Sequence, residues 1–213
     1  MKAKIIHRYS KVEELLNIYT HGFGLIVSVI AFPFLILKAI NYQGFIKPFS
    51  FVVYGISLII LYAASTFYHA AKKDKLRRRL NIFDHAAIYV LIAGTYTPFT
   101  VVVLNGTTGW VIFGLTWFFA LTGIILKLFF TGKFDKLSTI MYVLMGWQII
   151  FAIKPLINTM TTEGLQLLIG GGVFYTIGAI LYSIKKLPYN HAIFHVFVLL
   201  GSASHFLCIY YYI

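Results

Sequence analysis

The sequence is short of charged residues, acidic residues above all, and of cysteine. Only 11% of its 213 residues are Asp, Glu, Lys or Arg, against about 25% in a soluble domain. This shortage excludes a water-soluble enzyme and a secreted toxin with its own globular core. The single cysteine, Cys208, has no second cysteine to pair with, so a disulfide scaffold is excluded as well.

Long apolar stretches take the place of the missing charges. Seven of them, each close to the about 20 residues that a membrane-crossing helix needs, follow one another with short polar breaks. They cover residues 19–40, 48–71, 82–104, 110–130, 137–157, 165–184 and 189–213. None alternates as a membrane β-strand does. We therefore predict an all-α bundle of seven transmembrane helices forming one domain over residues 1–213, with a short N-terminal segment over 1–18.

The basic residues are distributed unevenly between the two sides of this bundle. Fifteen of the 18 Lys and Arg residues precede the first helix or lie in or close to every second break, and only Lys38, Lys47 and Lys154 lie on the other side. By the positive-inside rule this bias predicts a cytoplasmic N-terminus and an outside C-terminus. It also explains the net charge of +12 without nucleic acid as a partner.

Polar residues that are costly within a membrane share one level near the predicted cytoplasmic face. Ionisable groups at such positions usually face the bundle interior or a functional cavity. They are Glu14, Asn17 and His21 in the first helix, Ser65 and His69 in the second, Asp84 in the third, and His191 and His195 in the seventh. Four helices that place polar groups at one depth indicate a site.

The three histidines His69, His191 and His195 suit a metal ion. The i, i+4 spacing of His191 and His195 puts both on one helical face, and three protein ligands plus one water are typical of catalytic zinc. Asp84 is then a candidate to orient or deprotonate that water, and Ser65 to hold it or to polarise a substrate carbonyl. The alternative is that the histidines only bridge helices by hydrogen bonds.

Two further groups of polar residues remain open at this stage. Glu13, Glu14, Asn17 and His21 either cap the first helix and pin it to its neighbours or orient the metal ligands. His205 lies about 15 Å further along the last helix than His195 and is interpreted as a core histidine.

The combined motifs resemble the hemolysin III family. They are E-E-x-x-N-x-x-T-H-x-x-G over 13–24, S-x-x-x-H over 65–69, Asp84 followed by A-G-T-Y-T-P-F over 93–99, and H-x-x-x-H over 191–195. That family is the bacterial branch of the progestin and adiponectin receptor (PAQR) superfamily, which is grouped with alkaline ceramidases under the name CREST. The resemblance implies a seven-helix bundle in a bacterial plasma membrane. It also implies zinc near the cytoplasmic face on His69, His191 and His195, with Asp84 and Ser65 near the metal-bound water.

The leading functional hypothesis is a zinc-dependent hydrolase of lipid amide bonds, involved in membrane-lipid homeostasis and supplied with substrate from the bilayer. One alternative is a cytolytic membrane protein. Another is a non-catalytic sensor or ion-conducting protein, which needs polar residues across the full membrane depth. In the outer half, His205 is the one ionisable candidate, beside a few Ser and Thr.

Overall fold

A computed structural model describes residues 8–130 and 135–213 of the chain. Within these ranges the protein is built from helices without any β-strand. Seven of the helices are long and apolar enough to cross a membrane, which confirms the predicted seven-helix class.

The seven membrane helices follow one another with short connections. Their bounds are α1, Lys11–Ile40; α2, Ile46–Ala70; α3, Asp74–Pro98, continued by a π-helical segment Phe99–Leu104; α4, Gly106–Phe130; α5, Asp135–Trp147, continued by a 3₁₀ segment Gln148–Ala152 and a helical turn Ile153–Thr159; α6, Thr162–Ser183; and α7, Asn190–Tyr212. Each predicted apolar stretch falls within one of these helices, give or take a residue at its ends.

Two helices begin earlier than their apolar stretches. Helix α1 starts at Lys11 rather than near residue 19, because the Ser10 hydroxyl accepts a hydrogen bond from the Glu13 N–H at 3.2 Å and caps its N-terminus. The acidic residues Glu13 and Glu14 in the first turn also interact favourably with the positive end of the helix dipole. Helix α3 starts at Asp74 rather than near residue 82. The polar turns thus extend these helices beyond the stretches that hydropathy detects.

Two helices change their winding near the middle of the bundle. Pro98, which has no N–H to donate, stands immediately before the π-helical segment of α3. In α5 the winding changes to 3₁₀ from Gln148 onward, where the Tyr96 hydroxyl of α3 lies between two backbone groups of α5. That hydroxyl donates to the Gly146 carbonyl oxygen at 2.8 Å and accepts from the Ile149 N–H at 2.8 Å. A side chain of α3 therefore takes over backbone hydrogen bonds of α5.

Helix α7 closes the bundle by packing against both α6 and α1, while α2 packs between α1 and α3. The start of α1 therefore lies beside the end of α2 and the starts of α3 and α7. We call this the basic end, because residues 72–79 and 185–186 lie there. At the opposite end, the Lys38 ammonium of α1 donates to the Tyr210 carbonyl oxygen of α7.

Candidate metal centre

Three histidine side chains converge at the basic end. His69 is contributed by the last turn of α2, and His191 and His195 by the first turns of α7. The Nε2 atom of His191 lies 3.1 Å from the Nε2 of His69 and 3.1 Å from the Nε2 of His195. All three side chains are buried. The predicted histidine triad is thus present in the fold.

The protonation of these rings favours a cation between them. His69 Nδ1 lies 2.8 Å from a Glu14 carboxylate oxygen, which can only accept, so Nδ1 carries the proton and Nε2 keeps its lone pair. Thr20 gives its hydroxyl proton to the Leu16 carbonyl oxygen and offers its oxygen, 3.3 Å away, to His195 Nδ1. The Nε2 lone pairs of His69 and His195 are therefore both directed at His191.

The separations of the nitrogens also fit one metal ion. Three imidazole nitrogens at 2.0–2.1 Å from a tetrahedral zinc are about 3.3–3.4 Å apart. The two observed Nε2–Nε2 distances of 3.1 Å are close to that value. The donor set and its spacing therefore suit a tetrahedral metal site with one position left for a small ligand.

One face of α1 holds the histidines in place. Besides Glu14 and Thr20, a Glu13 oxygen accepts from the backbone N–H of His191 at 3.3 Å, and the Asn17 side chain lies beside the His69 ring. Glu13, Glu14 and Asn17, which the sequence leaves open as a helix cap or a ligand-orienting group, thus contact histidines of the triad directly. Their contribution to metal binding stays a prediction.

His21 contacts the cluster without a hydrogen bond. Its ring stacks on that of His195 with centroids 3.5 Å apart and planes 7° from parallel. Neither of its ring nitrogens has a hydrogen-bond partner among the residues that the structure describes.

Two contributors to this region were not identified from the sequence. Arg77 belongs to the basic run 72–79, which we interpreted as a topology signal, yet only 2% of it is exposed and it pairs with Glu14. Tyr9 stacks on the His191 ring with centroids 4.6 Å apart, and burial raises the pKa of its hydroxyl. Nothing in the local sequence distinguishes Arg77 from the exposed Arg78 and Arg79 beside it.

A cavity of about 150 Å³ opens beside the histidines. Its walls include Ser65 and Asp84 together with His21, His191 and His195, so both predicted catalytic residues share this cavity with two histidines of the triad. The Ser65 hydroxyl has no hydrogen-bond partner within the described part of the chain. Most of the remaining wall is apolar and belongs to α3, α5, α6 and α7. The catalytic roles of Ser65 and Asp84 stay predictions.

Seven membrane-length helices around a buried histidine triad define a polytopic membrane protein with a candidate metal centre. The family model described as Haemolysin-III related matches residues 9–206. The chain therefore belongs to the haemolysin III family and is an integral membrane protein, as the sequence motifs predict.

Three relatives show how far the similarity extends. The chain is 46% identical to Hemolysin-3 of Bacillus cereus over 201 residues, which cover 94% of this chain and 92% of the relative. It is 46% identical to Hemolysin-3 homolog of Bacillus subtilis (strain 168) over 200 residues, 94% of each chain. The human Monocyte to macrophage differentiation factor is 28% identical over 207 residues, 94% of this chain and 84% of the human one.

Proposed function

We propose that this protein is a zinc-dependent hydrolase of lipid amide bonds, similar to a ceramidase, that adjusts lipid composition in a bacterial plasma membrane. The observation that carries the proposal is the convergence of three histidine Nε2 atoms beside an apolar cavity, whose walls include His191 and His195 together with Ser65 and Asp84. A carboxylate, a hydroxyl and a candidate metal-binding triad beside apolar walls suit amide hydrolysis on a lipid.

His69, His191 and His195 would hold the zinc ion, which when bound lowers the pKa of a water ligand to about 7 and polarises a carbonyl. Glu14 and Thr20 keep the imidazoles of His69 and His195 in the tautomer that leaves Nε2 free. The chain's own residues therefore set the orientation of the ligands before any substrate arrives.

Asp84 transfers the proton during the reaction, and Ser65 orients the substrate carbonyl. The Asp84 carboxylate accepts a proton from the attacking water as the new bond forms from water oxygen to carbonyl carbon. It then returns that proton to the amide nitrogen as the carbon–nitrogen bond breaks, which releases a fatty acid and an amine. The Ser65 hydroxyl donates a hydrogen bond to the substrate carbonyl oxygen.

The apolar wall determines where the lipid chain lies. Side chains such as Ile88, Ile92 and Val198 extend the cavity away from the triad into the bundle. An acyl chain placed along them leaves its carbonyl beside Ser65 and keeps bulk water away from the reacting bond. The substrate thus enters from the bilayer rather than from water.

The test is turnover of a panel of lipid amides, ceramides among them, by purified zinc-loaded protein in nanodiscs. We expect the wild type to release fatty acid. Asp84→Asn should lower the rate by about 10²–10⁴ while it retains its metal, because it loses the group that moves the proton. Asp74→Asn, which changes an exposed carboxylate on the same helix, is the matched control and should keep the wild-type rate.

Loss of turnover together with loss of metal in Asp84→Asn would contradict the role given to Asp84. No turnover of any lipid amide or ester by wild type with one zinc per chain would overturn the hydrolase proposal.

A cytolytic activity is the second candidate, because two relatives that share 46% identity bear the name hemolysin. It requires that added protein releases dye from loaded vesicles at a rate that Asp84→Asn does not change. Leakage with these properties, without lipid cleavage, would favour cytolysis over hydrolysis.

A further inference from the structure

The cavity has a second polar group at its far end. His205 lies ten residues beyond His195 on α7, about 15 Å of helix rise from the triad. His205 lines the same cavity, as does the half-buried Tyr175 from α6. Of the His205 surface, 8% is exposed.

One nitrogen of His205 is a hydrogen-bond acceptor without a donor. Its Nε2 lies 3.0 Å from the Leu168 carbonyl oxygen of α6. A carbonyl oxygen only accepts, so Nε2 carries the proton and Nδ1 holds a lone pair. This Nδ1 is buried and has no partner anywhere in residues 8–130 and 135–213. An unpaired acceptor in an apolar surrounding is costly unless a ligand supplies a donor.

The position of the His205 ring depends on a glycine in α6. A Cβ added at Gly171 would overlap the Cδ2 and Nε2 atoms of His205. A Cβ at the adjacent Gly170 would meet only the Ser204 hydroxyl, at an ordinary 3.6 Å. The imidazole therefore lies directly against the backbone of α6, which fixes the place of its Nδ1 atom.

We propose that His205 Nδ1 accepts a hydrogen bond from a hydroxyl group on the hydrocarbon chain of the bound lipid. The inference rests on the proposed function in placing an acyl chain along the cavity. The distance of about 15 Å from the triad is half the ~30 Å hydrocarbon thickness of a bilayer, the depth of one leaflet. The preferred substrates are thus lipids hydroxylated far from the carbonyl, since a plain chain leaves Nδ1 unpaired.

The test is equilibrium binding, which needs no turnover. Tritiated stearate bound to metal-loaded protein in detergent is displaced by stearate, 2-hydroxystearate or 12-hydroxystearate. The 12-hydroxyl group lies about two-thirds of the way along the chain and can reach His205, whereas the 2-hydroxyl stays beside the triad. We expect 12-hydroxystearate to displace the label at roughly fivefold lower concentration than the other two, the usual gain from one hydrogen bond.

Variants of His205 separate ligand recognition from folding. His205→Phe removes the acceptor and should abolish the preference for the 12-hydroxyl group. His205→Asn, whose side-chain oxygen replaces Nδ1, should retain part of it. Ser204→Ala is the matched control, because Ser204 donates to the neighbouring Leu167 carbonyl oxygen and should leave the preference unchanged.

Equal displacement by the three acids in the wild type, or no saturable stearate binding at all, would overturn the inference whatever the variants do. A preference that survives in His205→Phe would overturn it too. A protein that cleaves no lipid amide but prefers 12-hydroxystearate would refute the hydrolase and leave this subsite standing.

Discussion

Arg77 links the histidine triad to the backbone at the end of α2. Its buried guanidinium donates to the carbonyl oxygens of Tyr68 at 3.3 Å and His69 at 3.2 Å. The same group pairs with one oxygen of Glu14, whose other oxygen accepts from His69 Nδ1. One side chain thus satisfies the helix terminus and holds the carboxylate that orients a histidine.

We predict that Arg77→Ala weakens metal binding by roughly 10- to 100-fold, the usual cost of removing a group that supports a metal ligand. The reason is that Glu14 loses the cation that holds it against His69. The measurement is a competition titration with a zinc chelator of known affinity, on protein purified with its metal.

Arg78→Ala is the matched control, because Arg78 is the next residue of α3 and is exposed. Arg77→Lys keeps the charge but not the fork of donors, so its affinity should lie between those of wild type and Arg77→Ala. Equal zinc affinities in Arg77→Ala and Arg78→Ala would show that Arg77 does not support the site.

Single residues differ in how far the sequence identifies them. His69, His191 and His195 were predicted from their polarity in apolar surroundings and their shared depth, and the structure brings them together. Arg77 and Thr20 were not assigned to the site, because their places in it depend on contacts with residues far away in the chain, Glu14 and His195. Local patterns carry no information on such contacts.

At the scale of elements, α3 and α4 meet at a glycine. The ring of Tyr89, only 1% exposed, fills the space where a side chain at Gly123 would stand. Gly114, nine residues earlier on α4, has no atom within 4 Å of the position of an added Cβ. Packing therefore requires a glycine at position 123 of α4 but not at position 114.

We expect Gly123→Ala to destabilise the protein by about 1–3 kcal/mol, because the methyl group displaces the Tyr89 ring in a filled interior. Gly114→Ala adds a methyl group to an open surface of the same helix and should be neutral or slightly stabilising. Thermal unfolding of both variants in the same detergent gives the comparison. A decrease in Gly114→Ala as large as that in Gly123→Ala would contradict the packing argument.

The helices themselves were predictable because lipid requires long apolar runs, and each run is visible in the sequence. The polar start of α1 was predicted from Glu14, Asn17 and His21, which share one helical face. The early start of α3 was not predicted, since its first turns are polar and hydropathy does not detect them. The 3₁₀ segment of α5 was also missed, because it depends on the Tyr96 hydroxyl of another helix.

In the molecule as a whole, the triad connects helices that are far apart in sequence. His69 of α2 faces two histidines of α7, and α1 holds both through Glu14 and Thr20. A metal bound there would join the second helix to the last one. Because such a ligand binds only the folded chain, it stabilises the fold.

We predict that a strong chelator lowers the melting temperature in detergent by about 5–10 °C, the shift expected when a ligand at 100-fold excess over its dissociation constant is lost. His191→Ala, which lacks one of the three histidines, should melt at this lower temperature even without the chelator. The same chelator should not shift this variant further, which controls for effects of the chelator on detergent or lipid. Unchanged melting of the wild type after its metal is removed would refute the stabilising role.

The distribution of the triad along the chain also sets the order of its assembly. His69 and His191 are 122 residues apart, and a ribosome adds about 5–20 residues each second. Roughly 6–24 s therefore separate the synthesis of His69 from that of His191. Throughout that interval His69 has Glu14 of the first helix to contact, but no other histidine of the triad. Completion of the centre thus coincides with insertion of α7, and capture of a metal would mark a bundle in which α7 has joined α1 and α2.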